Sequence, residues 1–477
     1  MKSILKKIRQ SDAFNEENRI PYTKAIVLMS LFTFVFLGAE FLFVNMISCT
    51  VSGNQSVNAQ NYALGISVIG FVLHPLSRFC KGKWQAALAM CGAILSVICL
   101  FMICRHTSYA LTLGMGLLLF LILGALGSAV FYKTLCLLED NTCIARLTGV
   151  SYMLGILLQI ANNNLVDIDY IEAGVLSVFI LWLAFILIKA EKNSVVPAFS
   201  KSKTEEENDE NGNCLKIILL LVLFVALMTC IFSTMDNAVT VYHANGTVNI
   251  GQWPRILLAL SGLMAGFLFD IAGRKYMSVI MYCVMLLSTT CLVIIQFAGP
   301  FTVGLVIFYL SAGFFAVFFT SSFMEIARYT DTPELWSGFG RAVNNLVAAA
   351  ISGGSLARLH SENNIIIITI ELILFVATSI VALFYTKKRK AFFDRLAEAD
   401  RSQLSNAEKL QRLAEQFSLT QRETEVFGLL VNTEDGLQTI ADDLYVSRRT
   451  LERYVSAIYK KTGAKSRIGL VALYNKE

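Results

Sequence analysis

The chain has 477 residues, 55% hydrophobic, 16% charged and 11% aromatic, with a formal net charge of +5. Soluble globular domains carry about 25% charged residues, so this composition excludes a soluble multidomain enzyme. It is also far too apolar for a disordered chain or a disulfide scaffold. The average hides a break near residue 390. Residues 1–390 hold 27 Lys+Arg and 22 Asp+Glu, 49 of 390 or 13%, whereas residues 391–477 hold 13 of each sign, 26 of 87 or 30%. That is the composition of a membrane-embedded body followed by a small water-soluble tail.

Residues 1–23 are polar and basic (Lys6, Lys7, Arg9) and do not resemble a cleaved signal peptide. A helical span needs about 20 apolar residues. Twelve such runs follow, near 24–47, 58–79, 84–104, 109–136, 143–165, 171–190, 215–240, 253–271, 276–297, 301–324, 336–357 and 364–386. All six prolines fall at or between the ends of these runs, where they cost no helix hydrogen bond. A charged stretch, 191–214, containing Glu205, Glu206 and Glu207, divides the body into six spans (24–190) and six more (215–386). An even number of spans puts both termini on one side, which carries 24 Lys+Arg against three (Arg105, Arg255, Arg358) on the other. Positive charge marks the cytoplasmic face, so the expectation is a multi-pass inner-membrane protein with both termini cytoplasmic. The 11 cysteines lie mostly inside apolar runs with no CxxC spacing, and the four histidines are scattered. No metal site, cofactor or catalytic cluster is expected, and the chain does not read as an enzyme.

The two halves repeat. After span eight come Gly266, Leu268, Asp270, Gly273, Arg274 and Lys275, and 196 residues earlier stand Gly70, His74, Ser77 and Arg78. The second-half segment is similar to the GxLxDxxGRK loop of the major facilitator superfamily, which recurs after spans two and eight. In the first copy His74 stands for the Asp and Ser77 for the second Gly, a departure that weighs against working transport. The resemblance implies an all-α fold: a twelve-helix transmembrane bundle of two six-helix repeats, with spans one and seven lining a central cavity.

Ionisable groups within spans are costly and point to function. Glu40 in span one and Asp236 in span seven are 196 residues apart, the offset that aligns the two loops. Two readings stand: both acids face a shared ligand cavity, with Asn45, Asn237, Tyr242 and Arg255 as further polar contacts, or both face interfacial water at the span ends. Glu325, Arg328, Glu334 and Arg341, echoed by Glu139 and Arg146 at an offset of 195, read as interfacial ion pairs rather than ligand contacts.

The tail reads as four short helices. Thr420 with Glu423 three residues on is a capping box opening an apolar periodic run. Ile440 to Leu444 makes a second short helix, Ser447 caps a third from Arg448 to Thr462, Gly463 ends it, and Ser466 opens the fourth. Short helix, turn and longer basic helix is the helix-turn-helix order. Between Ser447 and Arg467 stand seven basic residues and one acid, Glu452, a charge pattern suited to phosphate neutralisation. The segment 415–477 resembles a LuxR-type helix-turn-helix domain at Leu419, Thr420, Arg422, Glu423, Glu425, Val426, Ile440, Ala441, Leu444, Ser447, Thr450, Ile458, Lys461 and Arg467. Tyr454 stands where the family has His and Thr462 where it has Leu. The resemblance implies DNA contacts from Ser447, Arg448, Arg449, Thr450, Arg453 and Tyr454, with Lys461 and Arg467 towards the DNA backbone. Residues 387–414 form a linker, either a short coiled coil or a plain solvated helix.

The expectation is therefore a membrane-bound one-component transcription regulator. Its partners would be double-stranded DNA, the lipid bilayer and an unknown small molecule, and it would bind DNA as a homodimer. The alternative is a secondary transporter with a DNA-binding regulatory tail.

Overall fold

In the computed structural model, the described residues are 16–79, 82–138, 143–166, 168–191, 207–246, 253–296, 301–359, 364–433 and 435–476. Among them secondary structure is helical throughout, and two compact units are distinguished, Met1–Arg389 and Lys390–Glu477.

The first unit contains α1 (Glu16–Ser48), α2 (Gly53–Leu73), α3 (Gly82–Cys104), α4 (Tyr109–Leu137), α5 (Ile144–Leu165) and α6 (Asp169–Glu191). The second half supplies α7 (Glu207–Ala244), α8 (Trp253–Phe269), α9 (Met277–Gln296), α10 (Phe301–Ala327), α11 (Phe339–Leu359) and α12 (Asn364–Gln416), with one helical turn at Pro333–Trp336. Each apolar run of the sequence thus corresponds to one long helix. Eight of these helices (α1, α3–α7, α10 and α12) are long and apolar enough to cross a membrane, and α8 and α9 are shorter apolar helices. Among the described residues α2 and α11 fall outside both groups. Their polarity explains it: α2 carries Asn54, Gln55, Asn58, Gln60 and Asn61, and α11 carries Arg341, Asn344 and Asn345. Gln60, Asn61 and Asn345 are buried, whereas Asn54 and Gln55, at the start of α2, are exposed.

Large apolar side chains cover the outside of the bundle, including Leu88, Ile98, Phe185, Leu219, Leu287 and Leu383. An apolar exterior of this extent matches hydrocarbon rather than water. The interior is aromatic: Phe32, Phe36, Phe120 and Phe131 pack edge-on or tilted within the first half, and Phe224, Phe269, Phe314 and Phe318 do so within the second.

The halves meet through α5 against α8 and α2 against α11. The first crossing depends on missing side chains. A Cβ on Gly266 would lie 2.7 Å from the Ala145 carbonyl oxygen, and one on Gly149 would lie 2.6 Å from that of Gly262. Small residues that admit close backbone approach are the usual device for packing helices in a membrane. The first motif glycine of the second-half loop is therefore a packing requirement.

The second unit holds the C-terminal part of α12, then α13 (Gln421–Asn432), α14 (Leu437–Asp443), α15 (Arg448–Thr462) and α16 (Arg467–Lys476). Its own core comprises Leu413, Val426, Phe427, Leu430, Ile440, Ala441, Leu451, Val455, Ile458, Leu470 and Tyr474. The α13 start is the expected capping box: the Thr420 amide donates to Glu423 Oε2 at 2.7 Å, and the Glu423 amide donates back to Thr420 Oγ1 at 3.4 Å. Gly463 closes α15 in the left-handed region, φ 74°, which a residue without Cβ enters at no steric cost.

Candidate ligand cavity and nucleic-acid interface

The first unit encloses a cavity of about 160 Å³. α1 contributes Glu40, α2 Gln60, α5 Tyr152, α7 Asp236, α8 Arg255, α10 Tyr309 and α11 Arg341 with Asn344 and Asn345, so both halves furnish its walls. Glu40 is held by Gln60, whose Nε2 donates to Glu40 Oε1 at 2.7 Å. Asp236 presents its side-chain surface to the cavity. The Arg341 guanidinium lies 5.3 Å from the Phe36 ring centre and 5.5 Å from that of Phe319, within cation–π range of both.

Two carboxylates and two guanidiniums share this space, and among the described residues neither arginine forms an ion pair within 4.0 Å; the Nε of each is buried and unbonded. Unpaired charge surrounded by low dielectric is costly. The walls therefore present polar valence that a ligand or water can satisfy. Tyr152 lines the same cavity as all four charged groups.

Three of the six residues singled out for a ligand site, Glu40, Asp236 and Arg255, line this cavity. The other three are not among its lining residues. Asn237 Oδ1 accepts from Asn61 Nδ2 at 3.0 Å, and Asn45 Oδ1 lies 2.9 Å from His243 Nε2, so both bridge the two halves of the bundle. Tyr242 is 43% exposed and also lies outside the lining. In the other direction, Arg341 read as interfacial from sequence and instead faces the cavity. Its repeat counterpart Arg146 does sit in an ion pair, with Asp270 at 3.5 Å. The two positions are related by the repeat but differ in depth and partner. The remaining members of that cluster behave as end-of-bundle contacts: Arg328 Nη2 donates to the Leu138 carbonyl at 2.5 Å, and the Glu334 carbonyl accepts from Ser128 at 3.3 Å. The side chains of Ser77, Arg78 and Arg358, and residue Glu139, lie outside the described residues.

In the second unit, α14, a tight turn and α15 form the helix pair. Ser447 caps α15 by accepting from the Thr450 amide at 3.2 Å. The buried face is Leu451, Val455, Ile458 and Thr462, at steps of three and four, while Arg448, Arg449, Glu452, Arg453, Ser456 and Lys460 are exposed on the other faces. Arg448 Nε donates to Glu452 at 3.1 Å, and Arg453 lies 5.7 Å from the Tyr454 ring centre. Both contacts are solvent-exposed and weak enough to exchange for a phosphate or a base edge. Arg449 has no ion pair among the described residues.

Lys461 and Arg467 are engaged inside the domain. Lys461 Nζ donates to Glu423 Oε2 at 2.6 Å and to the Ser418 carbonyl at 2.9 Å, and this bond is the main reason the Glu423 carboxyl is held below its ordinary pKa. Arg467 gives Nε to the Leu430 carbonyl at 2.8 Å, Nη1 to that of Asp435 at 2.5 Å and Nη2 to that of Thr433. These carbonyls belong to the end of α13 and the loop after it, so Arg467 caps that helix end. Tyr445, in the turn before α15, was not singled out from sequence; it is 97% exposed with φ 53°.

A family model of bacterial regulatory proteins, the luxR family, matches residues 417–474. Residues 417–474 are a LuxR-type DNA-binding domain. The membrane unit compares with solved transporters. The major facilitator superfamily transporter FucP in its outward conformation is 13% identical at a TM-score of 0.53, over 78% of this chain and 99% of that one. A bacterial homologue of the iron transporter ferroportin, outward-facing, is 14% identical at 0.53 over 78% and 99%. An auto-inhibited peptide transporter of the POT family is 11% identical at 0.51 over 77% and 96%. At such identities the likeness is one of fold, and the unit preceding the LuxR-type domain has the major facilitator architecture. Among curated proteins no relative matches the chain. The chain is thus a membrane-associated regulator, uniting a LuxR-type module with a transporter-like helical body.

Proposed function

We propose that the chain is a one-component transcription regulator whose membrane bundle senses a small molecule and controls sequence-specific DNA binding by the LuxR-type domain. The observation that carries this reading is the coexistence, in one chain, of a DNA-binding domain and a cavity whose arginines lack ion partners among the described residues. Ligand acts only through different affinities for two bundle conformations, since equal affinity shifts no population. Opposite charges on the cavity walls, Glu40 and Asp236 against Arg255 and Arg341, suit an amphoteric small molecule, and the tyrosines and phenylalanines beside them suit a partly apolar one.

On DNA, Arg449, Arg453 and Arg448 are the contacts proposed for α15, with Ser447, Thr450 and Tyr454 at its N-terminal half. Lys461 and Arg467 are assigned a supporting role, because their donors already serve the domain. The full set of twelve spans, cytoplasmic termini in the inner membrane, the boundary of the linker at 387–414 and dimerisation on DNA belong to the same proposal. All place the LuxR-type domain beside the chromosome.

A second reading, transport by the bundle with the tail regulating its own locus, is favoured by the intact second-half loop and its ion pairs. Solute flux in vesicles and salt-sensitive DNA binding by residues 391–477 separate the two. DNA binding without flux supports the sensor, flux supports the transporter, and a tail that binds no DNA overturns both.

A further inference from the structure

One end of the bundle holds a buried chain of charges that reaches the last residue before the second unit. Asp270 Oδ2 accepts from the Arg146 amide at 2.8 Å and faces Arg146 Nε at 3.5 Å. Asp270 Oδ1 accepts from Arg274 Nη1 at 3.1 Å, and Arg274 Nε donates to Glu325 Oε1 at 2.7 Å. Arg389 then donates through Nη2 to Glu325 Oε2 at 2.6 Å and through Nη1 to the Arg274 carbonyl at 3.0 Å. The side chains of Asp270, Glu325, Arg389 and Arg274 are 0%, 3%, 6% and 7% exposed.

Two features make this more than a structural anchor. The network crosses the repeat boundary: Arg146 begins α5 of the first half, whereas Asp270, Arg274, Glu325 and Arg389 belong to the second. It therefore exists in full only when α5 and α8 are closed on each other at this end, which the Gly149 and Gly266 crossing permits. The loop carrying it also holds two side-chain-bearing residues in the left-handed region, Ala272 at φ 52° and Arg274 at φ 64°. Buried ion networks are poor stabilisers for their desolvation cost and are best attested as registry or switching devices. At its far end stands Arg389, one peptide bond before the second unit begins and inside α12, which is helical to Gln416.

We propose that Arg389 is a positioning residue through which the bundle's closure is passed to the DNA-binding tail. With α5 and α8 closed, Asp270 fixes Arg274, Arg274 orients Glu325, and Glu325 holds Arg389, so the helix leaving the bundle is anchored. When α5 and α8 part, Asp270 loses Arg146, Arg274 is free to re-pair, and Glu325 no longer presents both oxygens. The anchor on α12 is then released. This rests on the regulator reading and supplies a physical link from the bundle to the helix that continues into the tail.

The test uses the full chain in lipid nanodiscs with hydrogen exchange of residues 390–398 as readout. Asp270→Asn lies more than a hundred residues from Arg389 in sequence and touches the network only at its far end. Coupling predicts that Asp270→Asn speeds exchange in 390–398 about as much as Arg389→Gln does, by roughly tenfold. The double variant adds little, as members of one network are non-additive. Arg389→Lys, which keeps charge but not the two-pronged contact, falls between. Should Asp270→Asn not fold, Arg146→Gln, which leaves the hydrogen bond from the backbone amide of residue 146 to Asp270 intact, is expected to shift exchange in the same direction by less. Unchanged exchange in the distal variant beside faster exchange in Arg389→Gln makes Arg389 a local helix contact and overturns the proposal, as does simple additivity. Binding of the wild-type chain to a random-sequence duplex at low salt is measured alongside. Its absence sinks the regulator reading whatever the exchange data show.

Discussion

Replacing Arg467 with Ala separates a structural arginine from a DNA-contacting one. The guanidinium satisfies three carbonyls, of Leu430, Thr433 and Asp435, at the end of α13 and in the loop after it. Hydrogen bonds from a charged donor contribute about 1.5–3 kcal/mol each when buried. Arg467 is only partly buried and its bond to Asp435 is exposed. Water replaces part of the loss, and the expected destabilisation is about 2–4 kcal/mol. A domain of this size has roughly 5–10 kcal/mol in total, so the melting point of residues 391–477 falls by about 8–32 °C. At a temperature where the variant remains folded, the salt dependence of its DNA binding should be unchanged, because no phosphate contact is removed. Urea melts and DNA titrations at several salt concentrations give both numbers. A destabilisation below about 0.5 kcal/mol together with a salt slope reduced by about 0.9, the signature of one lost phosphate contact, refutes the assignment and returns Arg467 to the DNA backbone.

Arg449→Ala should show the opposite pattern: stability within about 0.5 kcal/mol of wild type, with DNA affinity weakened by roughly fivefold or more, measured by anisotropy. The Glu423 carboxyl is held below its ordinary value of 4.5, first by Lys461 and then by the Thr420 amide. A carboxyl depressed in the folded state contributes stability that is present above its unfolded pKa and lost as pH falls through the folded one. Wild-type tail should therefore lose stability faster than Glu423→Gln below about pH 4.5 in acid melts, and parallel curves contradict the bond to Lys461. Gly266→Val forces a side chain into the Ala145 carbonyl and Gly149. It should lower the thermal stability of the bundle in detergent or part α5 from α8, seen as a longer spin-label distance between them, whereas Gly353→Ala, with open space around it, should do neither.

The helical pattern was legible because apolar run length is a direct physical demand of the bilayer, and each run has become one helix. The repeat was legible too: the 196-residue offset linking Glu40 with Asp236 places both on the wall of one cavity. Arg341 escaped because its repeat partner Arg146 pairs with Asp270 at the bundle end, and sequence offset says nothing of where two equivalent arginines direct their guanidiniums. Asn45 and Asn237 looked like ligand groups because they are polar within spans. They instead satisfy each other's repeats through His243 and Asn61, partners that only the packed bundle supplies. In the tail the capping box, the helix order and the Gly463 terminus were all written in local chemistry. Lys461 and Arg467 were not, because a basic residue beside a recognition helix looks alike whether it faces phosphate or the carbonyls of a distant loop. Arg389 gave no signal at all, being one of four consecutive Lys or Arg residues, 387–390, at the end of an apolar run.

If the state of the bundle governs DNA occupancy by the tail, the DNA bound in cells by the full chain and by its Asp236→Asn variant must differ, and genome-wide mapping of both measures the difference. Discrete promoter sites are expected for the wild type and altered occupancy of those same sites for the variant, while the separate tail, residues 391–477, binds them in vitro. Identical occupancy in both, or no discrete sites for either, would contradict control of the tail by the bundle.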